Sequence, residues 1–495
     1  MFVEDIKSMK KYEFWFVVGS QFLYGPEVVE TVESRAMEIA GELSKVLPYT
    51  LVYKVTAKTG AEILNTVLEA NHDSTCAGIV TWCHTFSPSK MWINGLSKLQ
   101  KPYCHFATQY NIGIPNEQID MDYMNLNQSA HGDREHGFIA ARMRMGRKII
   151  AGHWQDENVH RRLGDWMKAA VGAAFSRNLK VMRFGDNMRE VAVTEGDKVE
   201  AQVKFGWQVN TWPVGRLAEE IKAVTEDEVD KQMAVYAEKY DMATEEYEAV
   251  RYQAREEAAI KRMIDTEGCM AFSNTFQDLY GMKQLPGLAS QDLMSMGYGY
   301  GAEGDWKIAA MTAIMKVMGK NENGASAFIE DYTYHLVPDG KYCLGAHMLE
   351  VCPSLAEGRP RIEVHPLGIG DREDPARLVF EGRAGNAIVV TLVDMGNRFR
   401  MICQDVRCVK PIMSMPNLPV ARVMWQAEPN LETGVECWIT AGGAHHSVLS
   451  YDVSAEQMRD WARIMDIEFV HITKDTTVDS LEHELFLNDL AWKLK

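Results

Sequence analysis

The sequence predicts an α/β protein: two doubly wound parallel-sheet α/β domains followed by a mostly antiparallel β-barrel domain. Three observations predict it. Strand-like apolar runs alternate with helical patterns several turns long up to about Gly185, the signature of parallel sheets. Long charged helical stretches follow from about Arg216 to Glu267. After about Ser326 the texture changes to short β-like runs set apart by turn signals such as "PDG" and "MGN".

The elements follow in order. In a first domain assigned to residues 1–178, "FWFVVG" reads as a strand that leads through "SQFLYGPE" into the helix "VVETVESRAMEIAGELSKVL". The strands "LVYKVT", "AGIVTWC" and "YCHFATQ" then alternate with the helices "AEILNTVLEA" and "KMWINGLSKLQ". Ligands collect at the carboxyl ends of such strands, which puts "SQFLYG", "CHTFSPSK" and "TQYN" on one rim. Polar loops also have those compositions without any ligand. "KIIAGHW", the helix "VHRRLGDWMKAAVGAAF" and the strand "LKVMRFG" lead into a second α/β domain, residues 179–325, whose charge run "EEYEAVRYQAREEAAIKRMI" reads as a solvated helix face. The third domain, residues 326–495, carries the β-like runs "YCLGAHMLEV", "RIEVHPLGI", "AIVVTLVDM", "RFRMICQDV" and "VECWITAGG", and a terminal helix closes it.

Composition excludes several function classes. With 69 acidic against 52 basic residues the formal charge is −17, which repels polyanions and anionic lipid surfaces; no nucleic-acid or membrane partner is expected. No apolar run is long enough to span a bilayer, and "MFVEDIKSMKKYEFWFVVGSQ" has no signal-peptide core, so a cytoplasmic protein is expected. The 9 cysteines include no C-x-x-C pair, which argues for a reducing compartment and against a thiolate zinc site. The 29 methionines read as core filler.

"GYGAEGDWK" holds Gly299, Gly301 and Gly304 in the G-x-G-x-x-G spacing of dinucleotide-binding loops. That reading needs a buried strand before the first glycine, and "ASQDLMSMGY" reads as helical instead. Glu303 also sits where a pyrophosphate would have to lie, at the start of a helix capped by Asp305. A carboxylate held by small residues suits a hard cation better. "FIEDYTYH" offers Glu330 and Asp331, "GAHMLE" offers His347 and Glu350 on an expected strand, and "AGGAHH" offers His445 and His446. If the last segment is extended, only one of its two histidines can face a common site. Residue types alone leave open a metal centre and ordinary core or surface histidines. If a centre exists, carboxylates and imidazoles without thiolate suit Mn²⁺, Mg²⁺ or Co²⁺ and two neighbouring oxygens of a polyol.

The blocks "VVGSQFLYGPE", "HTFSPSKMWINGL", "MDYMNLNQSAHGDREHGFI", "GHWQDENVHRRLGDWM", "RFGDNMREVAVTEGDKVEAQVKFG", "GMKQLPGLA", "GYGAEGDWK", "FIEDYTYH", "GAHMLEVCPS" and "TAGGAHH" run in order over essentially the whole chain. Together they closely resemble the bacterial L-arabinose isomerases, whose fold is of the fucose/arabinose isomerase-like class.

The resemblance implies an aldose–ketose isomerase of carbohydrate metabolism, interconverting L-arabinose and L-ribulose in arabinose catabolism. D-galactose to D-tagatose is implied as a side activity. It implies one Mn²⁺ per subunit, with Co²⁺ or Mg²⁺ as substitutes, held by Glu303, Glu330, His347 and His446. Glu303 and Glu330 would also be the acid/base pair, acting through a metal-bound cis-enediol; a metal-assisted hydride shift remains open. His445 would either hydrogen-bond behind the ligands or merely pack.

Substrate-lining positions implied by the family are Gln21, Leu23 and Phe86 from the first domain, and Met188, Phe276, Tyr332 and Ile369 from the rest. His131 resembles the residue that the family presents to a neighbouring subunit's site. A homo-oligomer with shared active sites is therefore implied, a hexamer built as a dimer of trimers. Against this stand a fucose-type isomerase with a different pocket, which a sugar assay separates, a non-catalytic sugar-binding protein, against which the carboxylate and imidazole pairs count, and a metal hydrolase, which would bind metal without isomerase activity.

Overall fold

Alternating apolar runs in the first part of the chain become five parallel strands: β1 (Glu13–Gly19), β2 (Thr50–Ala57), β3 (Cys76–Cys83), β4 (Tyr103–Ala107) and β5 (Lys148–Ala151). The computed structural model describes residues 12–319 and 325–494; the polar start read from residues 1–11 lies outside them. Contacts divide the chain into two compact units, with the break between Ala174 and Phe175.

In the N-terminal unit the strand order is β2-β1-β3-β4-β5. Every residue of β3 is buried, as expected for a parallel strand covered on both faces. The helix Pro26–Val46 packs through Val32, Ala36, Ile39, Ala40 and Leu43, one stripe at helical spacing, and Gly60–His72 starts on a Thr59/Glu62 capping box. Because β1 lies between β2 and β3, the order reverses there, and the loops leaving β1 and β3 flank the switch point.

The second unit opens with another parallel sheet, order β10-β9-β6-β7: β6 (Lys180–Phe184), β7 (Gln208–Trp212), β9 (Ala271–Asn274) and β10 (Gly299–Gly301). A small sheet joins β8 (Asp241–Met242), β13 (Arg361–Val364) and β14 (Ala376–Val379). The barrel runs β15 (Gly385–Asp394), β18 (His446–Ser450), β11 (Ser326–Val337), β12 (Gly340–Ala346), β17 (Arg422–Ala427) and β16 (Phe399–Val409), and β16 pairs back with β15 to close it. Its pairings are antiparallel; β19 (Glu468–Ile472) adds to β16 in parallel.

The helix Trp306–Met318 lies against β6, β9 and β10 on one side and β11, β15 and β18 on the other. Twelve of its residues are buried, Lys307 and Lys316 among them, and it ties the second sheet to the barrel. The terminal helix is Val478–Lys493. Among the described residues no helix is long and apolar enough to cross a membrane.

Several sequence expectations need correction. "VECWITAGG" is not β-like: Leu431–Thr440 is a helix, started by Asn430 accepting from the Thr433 amide, so a local cap overrides its β-branched residues. Strand β12 stops at Ala346, so His347 and Glu350 lie beyond it rather than on it. "RIEVHPLGI" yields only β13, which sits outside the barrel. "KMWINGLSKLQ" gives a 3₁₀ turn, Ser89–Trp92, and one α-turn, Ile93–Leu96. The charge run "EEYEAVRYQAREEAAIKRMI" is not wholly solvated. Within its helix Tyr247–Glu267, Glu256 and Glu257 are fully buried, taking hydrogen bonds from Gln253 at 2.8 Å and Tyr236 at 2.5 Å. Burial pushes both carboxyls well above the usual range, and each keeps an Oε1 with no hydrogen-bond partner among the described residues.

Candidate metal and active site

The glycine spacing is a packing device. Strand β10 begins at Gly299 itself, and the segment before it is the helix Gly287–Ser295, as its sequence suggested. A Cβ on Gly299 would fall 2.1 Å from the carbonyl oxygen of Ala309, and one on Gly301 2.3 Å from that of Asp305. Their bare backbones let Trp306–Met318 press onto the sheet. Gly304, at φ +79°, lies against Asn187, whose Cα would be 2.6 Å from an added Cβ. Between these contacts Glu303 takes φ 58°, a left-handed conformation that costs a non-glycine residue about 1 kcal/mol or more. The Met188 amide holds the Glu303 carbonyl at 2.9 Å.

The barrel brings the other ligand candidates to this turn. Glu330 on β11 pairs directly with His446 on β18 and with Ala346 on β12, the residue before His347. Direct cross-strand partners share a face, so Glu330 and His446 point together. His446 Nε2 lies 3.5 Å from Glu303 Oε2 and 3.6 Å from Glu330 Oε1. His347 Nε2 is 3.9 Å from Glu330 Oε2, and His445 Nε2 is 3.6 Å from Glu330 Oε1. Phe328, two residues before Glu330, stands edge-on to the rings of both His347 and His446, at 5.0 and 5.2 Å.

Four residues offer ligand atoms all within 4.8 Å of one another: Glu303, Glu330, His445 and His446. This group holds three of the four positions that the family resemblance implied, with His445 in the place of His347. Hydrogen bonding distinguishes the three histidines. His446 Nδ1 faces Asp305 Oδ2 at 3.2 Å, and His347 Nδ1 faces Glu350 Oε2 at 2.5 Å. A carboxylate on one ring nitrogen fixes the other as the metal-facing one. Among the described residues no such partner holds the half-exposed His445, whose ring stacks edge-on against His446 at 4.5 Å.

Among the described residues the buried His446 Nε2 has no hydrogen-bond partner, an orphaned atom aimed at two carboxylates. An orphaned imidazole nitrogen between acidic oxygens, with no thiolate present, fits a hard or borderline divalent cation. Burial would raise the Glu330 carboxyl, but the imidazoles of His446, His347 and His445 around it outweigh that and hold it below its usual value. Next to it, burial with Glu330 alongside pushes Asp331 up to about 7.

Of the other sequence-derived positions, Phe276 and Ile369 line a small cavity with Glu303, His347 and Glu350. Asn274 lines it too, with Nδ2 unpartnered, and Tyr300 reaches Glu350 at 3.1 Å; sequence reasoning missed both, since one amide and one tyrosine carry no spacing signal. Tyr332 is half exposed two residues beyond Glu330. In the N-terminal unit, Gln21 and exposed Leu23 follow β1, while Phe86 follows β3 and stacks at 4.4 Å on exposed His131. They share the switch-point region of that unit.

Two parallel α/β sheets, a closed barrel and a carboxylate–imidazole cluster at the barrel's edge define the class of α/β–barrel proteins with a candidate metal site. Profiles of the L-arabinose isomerase N-terminal, central and C-terminal domains match residues 8–178, 180–321 and 325–468. The L-arabinose isomerases of Anoxybacillus flavithermus and Geobacillus stearothermophilus are each 53% identical to this chain, and that of Thermotoga petrophila 51%; each alignment covers 98% of this chain and 99% of the relative. The chain belongs to the L-arabinose isomerase family.

Proposed function

We propose that this chain interconverts L-arabinose and L-ribulose, dependent on one divalent cation per subunit, with Mn²⁺ the first candidate. Family membership supports the sugar. The observation that carries the metal dependence is the unpartnered His446 Nε2, aimed at Glu303 and Glu330. Glu303, Glu330, His347 and His446 would hold the ion, the last two because their Nδ1 atoms already have carboxylate partners. When bound, the cation supplies Lewis-acid polarisation of a sugar oxygen.

The chain's own residues supply the proton chemistry. One of Glu303 and Glu330 removes the proton from C2 of the open-chain aldose; a cis-enediol forms and the same carboxyl returns the proton to C1. The other glutamate moves the hydroxyl proton between O1 and O2, so the aldehyde at C1 becomes an alcohol and C2 becomes the carbonyl. Phe328, Phe276 and Ile369 keep apolar surface beside the carboxylates and limit water there. D-galactose conversion to D-tagatose is proposed as a side activity, as is assembly into a homo-oligomer, a hexamer by family likeness. The nine cysteines are all free and buried, which supports a cytoplasmic setting.

The test is a panel of aldoses offered to purified protein with Mn²⁺ in D₂O. Ketose from L-arabinose, with solvent deuterium at C1, is expected. Unlabelled ketose would replace proton transfer by a hydride shift, and preference for L-fucose would overturn the substrate assignment.

A further inference from the structure

Asp305 carries two loads on one carboxylate. Its Oδ1 accepts the amides of Lys307 and Ile308, at 3.2 Å each, and so caps Trp306–Met318. Its Oδ2 lies 3.2 Å from His446 Nδ1. The side chain is fully buried, and the equally buried Lys307 Nζ stands 3.3 Å from Oδ1 while donating to the carbonyls of Thr194 and Glu195 at 2.9 and 2.7 Å. A cap alone would need neither a buried ammonium nor a second oxygen turned to an imidazole.

We propose that Asp305 is a positioning residue for the cation site: it holds the Nδ1–H of His446, presents the Nε2 lone pair between Glu303 and Glu330, and takes its own place from the glycine turn. The inference rests on the metal-dependent reading of this site. Its geometry is that of a carboxylate behind a metal-facing histidine, where loss of the carboxylate typically costs 10–100-fold in metal affinity. Gly301 belongs to the same device, because its missing Cβ would meet the Asp305 carbonyl at 2.3 Å; a side chain there would displace the helix start, and Asp305 with it, from β10. The G-x-G spacing thus sets where the carboxylate stands. Glu350 repeats the arrangement behind His347, with Tyr300 donating to its other oxygen at 3.1 Å.

Asp305→Ser separates the two loads. Serine is as good a helix cap as aspartate but is too short to reach His446 as well. The stripped variant should unfold at a lower temperature than the stripped parent, because the buried Lys307 loses its carboxylate, so affinity is read well below that temperature: the Mn²⁺ dissociation constant, from the spin-resonance signal of free Mn²⁺, should rise about 10–100-fold. Asp305→Glu, which keeps a carboxylate, should recover part of that affinity. Unchanged Mn²⁺ affinity in Asp305→Ser, with any loss confined to the unfolding temperature, overturns the proposal and leaves a simple cap. If the parent binds no Mn²⁺, the metal reading falls first, and crystals of the two stripped proteins decide the rest. A His446 ring turned away from Glu303 in the variant sustains the positioning role; an unmoved ring ends it.

Discussion

His446 Nε2 lies 3.5 Å from Glu303 Oε2, buried and without a hydrogen bond of its own, although one residue comes from a barrel strand and the other from the turn after a parallel strand. Two structural layers meet at this pair. A buried polar atom left unpartnered costs about 1–3 kcal/mol, and a cation between the two groups would recover it.

The pair gives the first expected outcome. Glu303→Gln and Glu330→Gln should each lower kcat by at least about 10²-fold, the usual worth of a positioned acid or base, and weaken Mn²⁺ binding as well. Steady-state kinetics at saturating metal, beside a metal titration, checks both parts. Near-normal turnover in either variant removes that residue from the chemistry.

Which imidazoles bind is decided by a second comparison. His347→Ala should raise the Mn²⁺ dissociation constant by about 10-fold or more, since Glu350 fixes its tautomer. His445→Ala should leave affinity within about twofold. The reverse ranking would put His445 in the ligand set, as the mutual closeness of the four ligand atoms allows.

The glycine turn predicts a stability effect independent of metal. A methyl on Gly299 would sit 2.1 Å from the Ala309 carbonyl oxygen, a backbone atom that cannot swing aside. Gly299→Ala should therefore destabilise the second unit by about 1–3 kcal/mol or more, measured by denaturant unfolding of stripped protein.

The N-terminal unit carries its own pH dependence. Burial, with Arg35 beside it, pushes His84 down to about 3, and burial with Arg147 pushes His105 down to about 4. Both are depressed below the unfolded value of about 6.5, so their contribution is complete above that pH and is lost as pH falls towards 4. Each such group adds up to about 1.4 kcal/mol of lost stability per pH unit in this window. Asp133, 2.9 Å from His105 and pushed up to about 7 by burial, titrates with the opposite sign and offsets one of them. Urea unfolding followed at a probe in this unit should show the remaining slope, and His84→Gln should flatten it.

Periodicity made the scaffold legible: β1 to β4, the helix Pro26–Val46 and the barrel strands β15 and β16 all follow their apolar patterns. Where local signals compete with burial it misled. Glu256 and Glu257 look solvated because charge usually is, yet both are buried and take hydrogen bonds from Gln253 and Tyr236 inside the fold. At the site, Glu303, Glu330, His347 and His446 were nameable from motif resemblance. Asp305 was visible only as a cap, because its second contact, with His446, spans 141 positions that no local pattern connects.

The most direct test of the account is ketose formation from L-arabinose by metal-stripped protein, before and after Mn²⁺ is restored. The account predicts loss of turnover on stripping and its return with Mn²⁺, with thermal stabilisation of about 2.7 kcal/mol at a hundredfold excess over the dissociation constant. Full activity in the stripped protein, with metal content verified as nil, would contradict it.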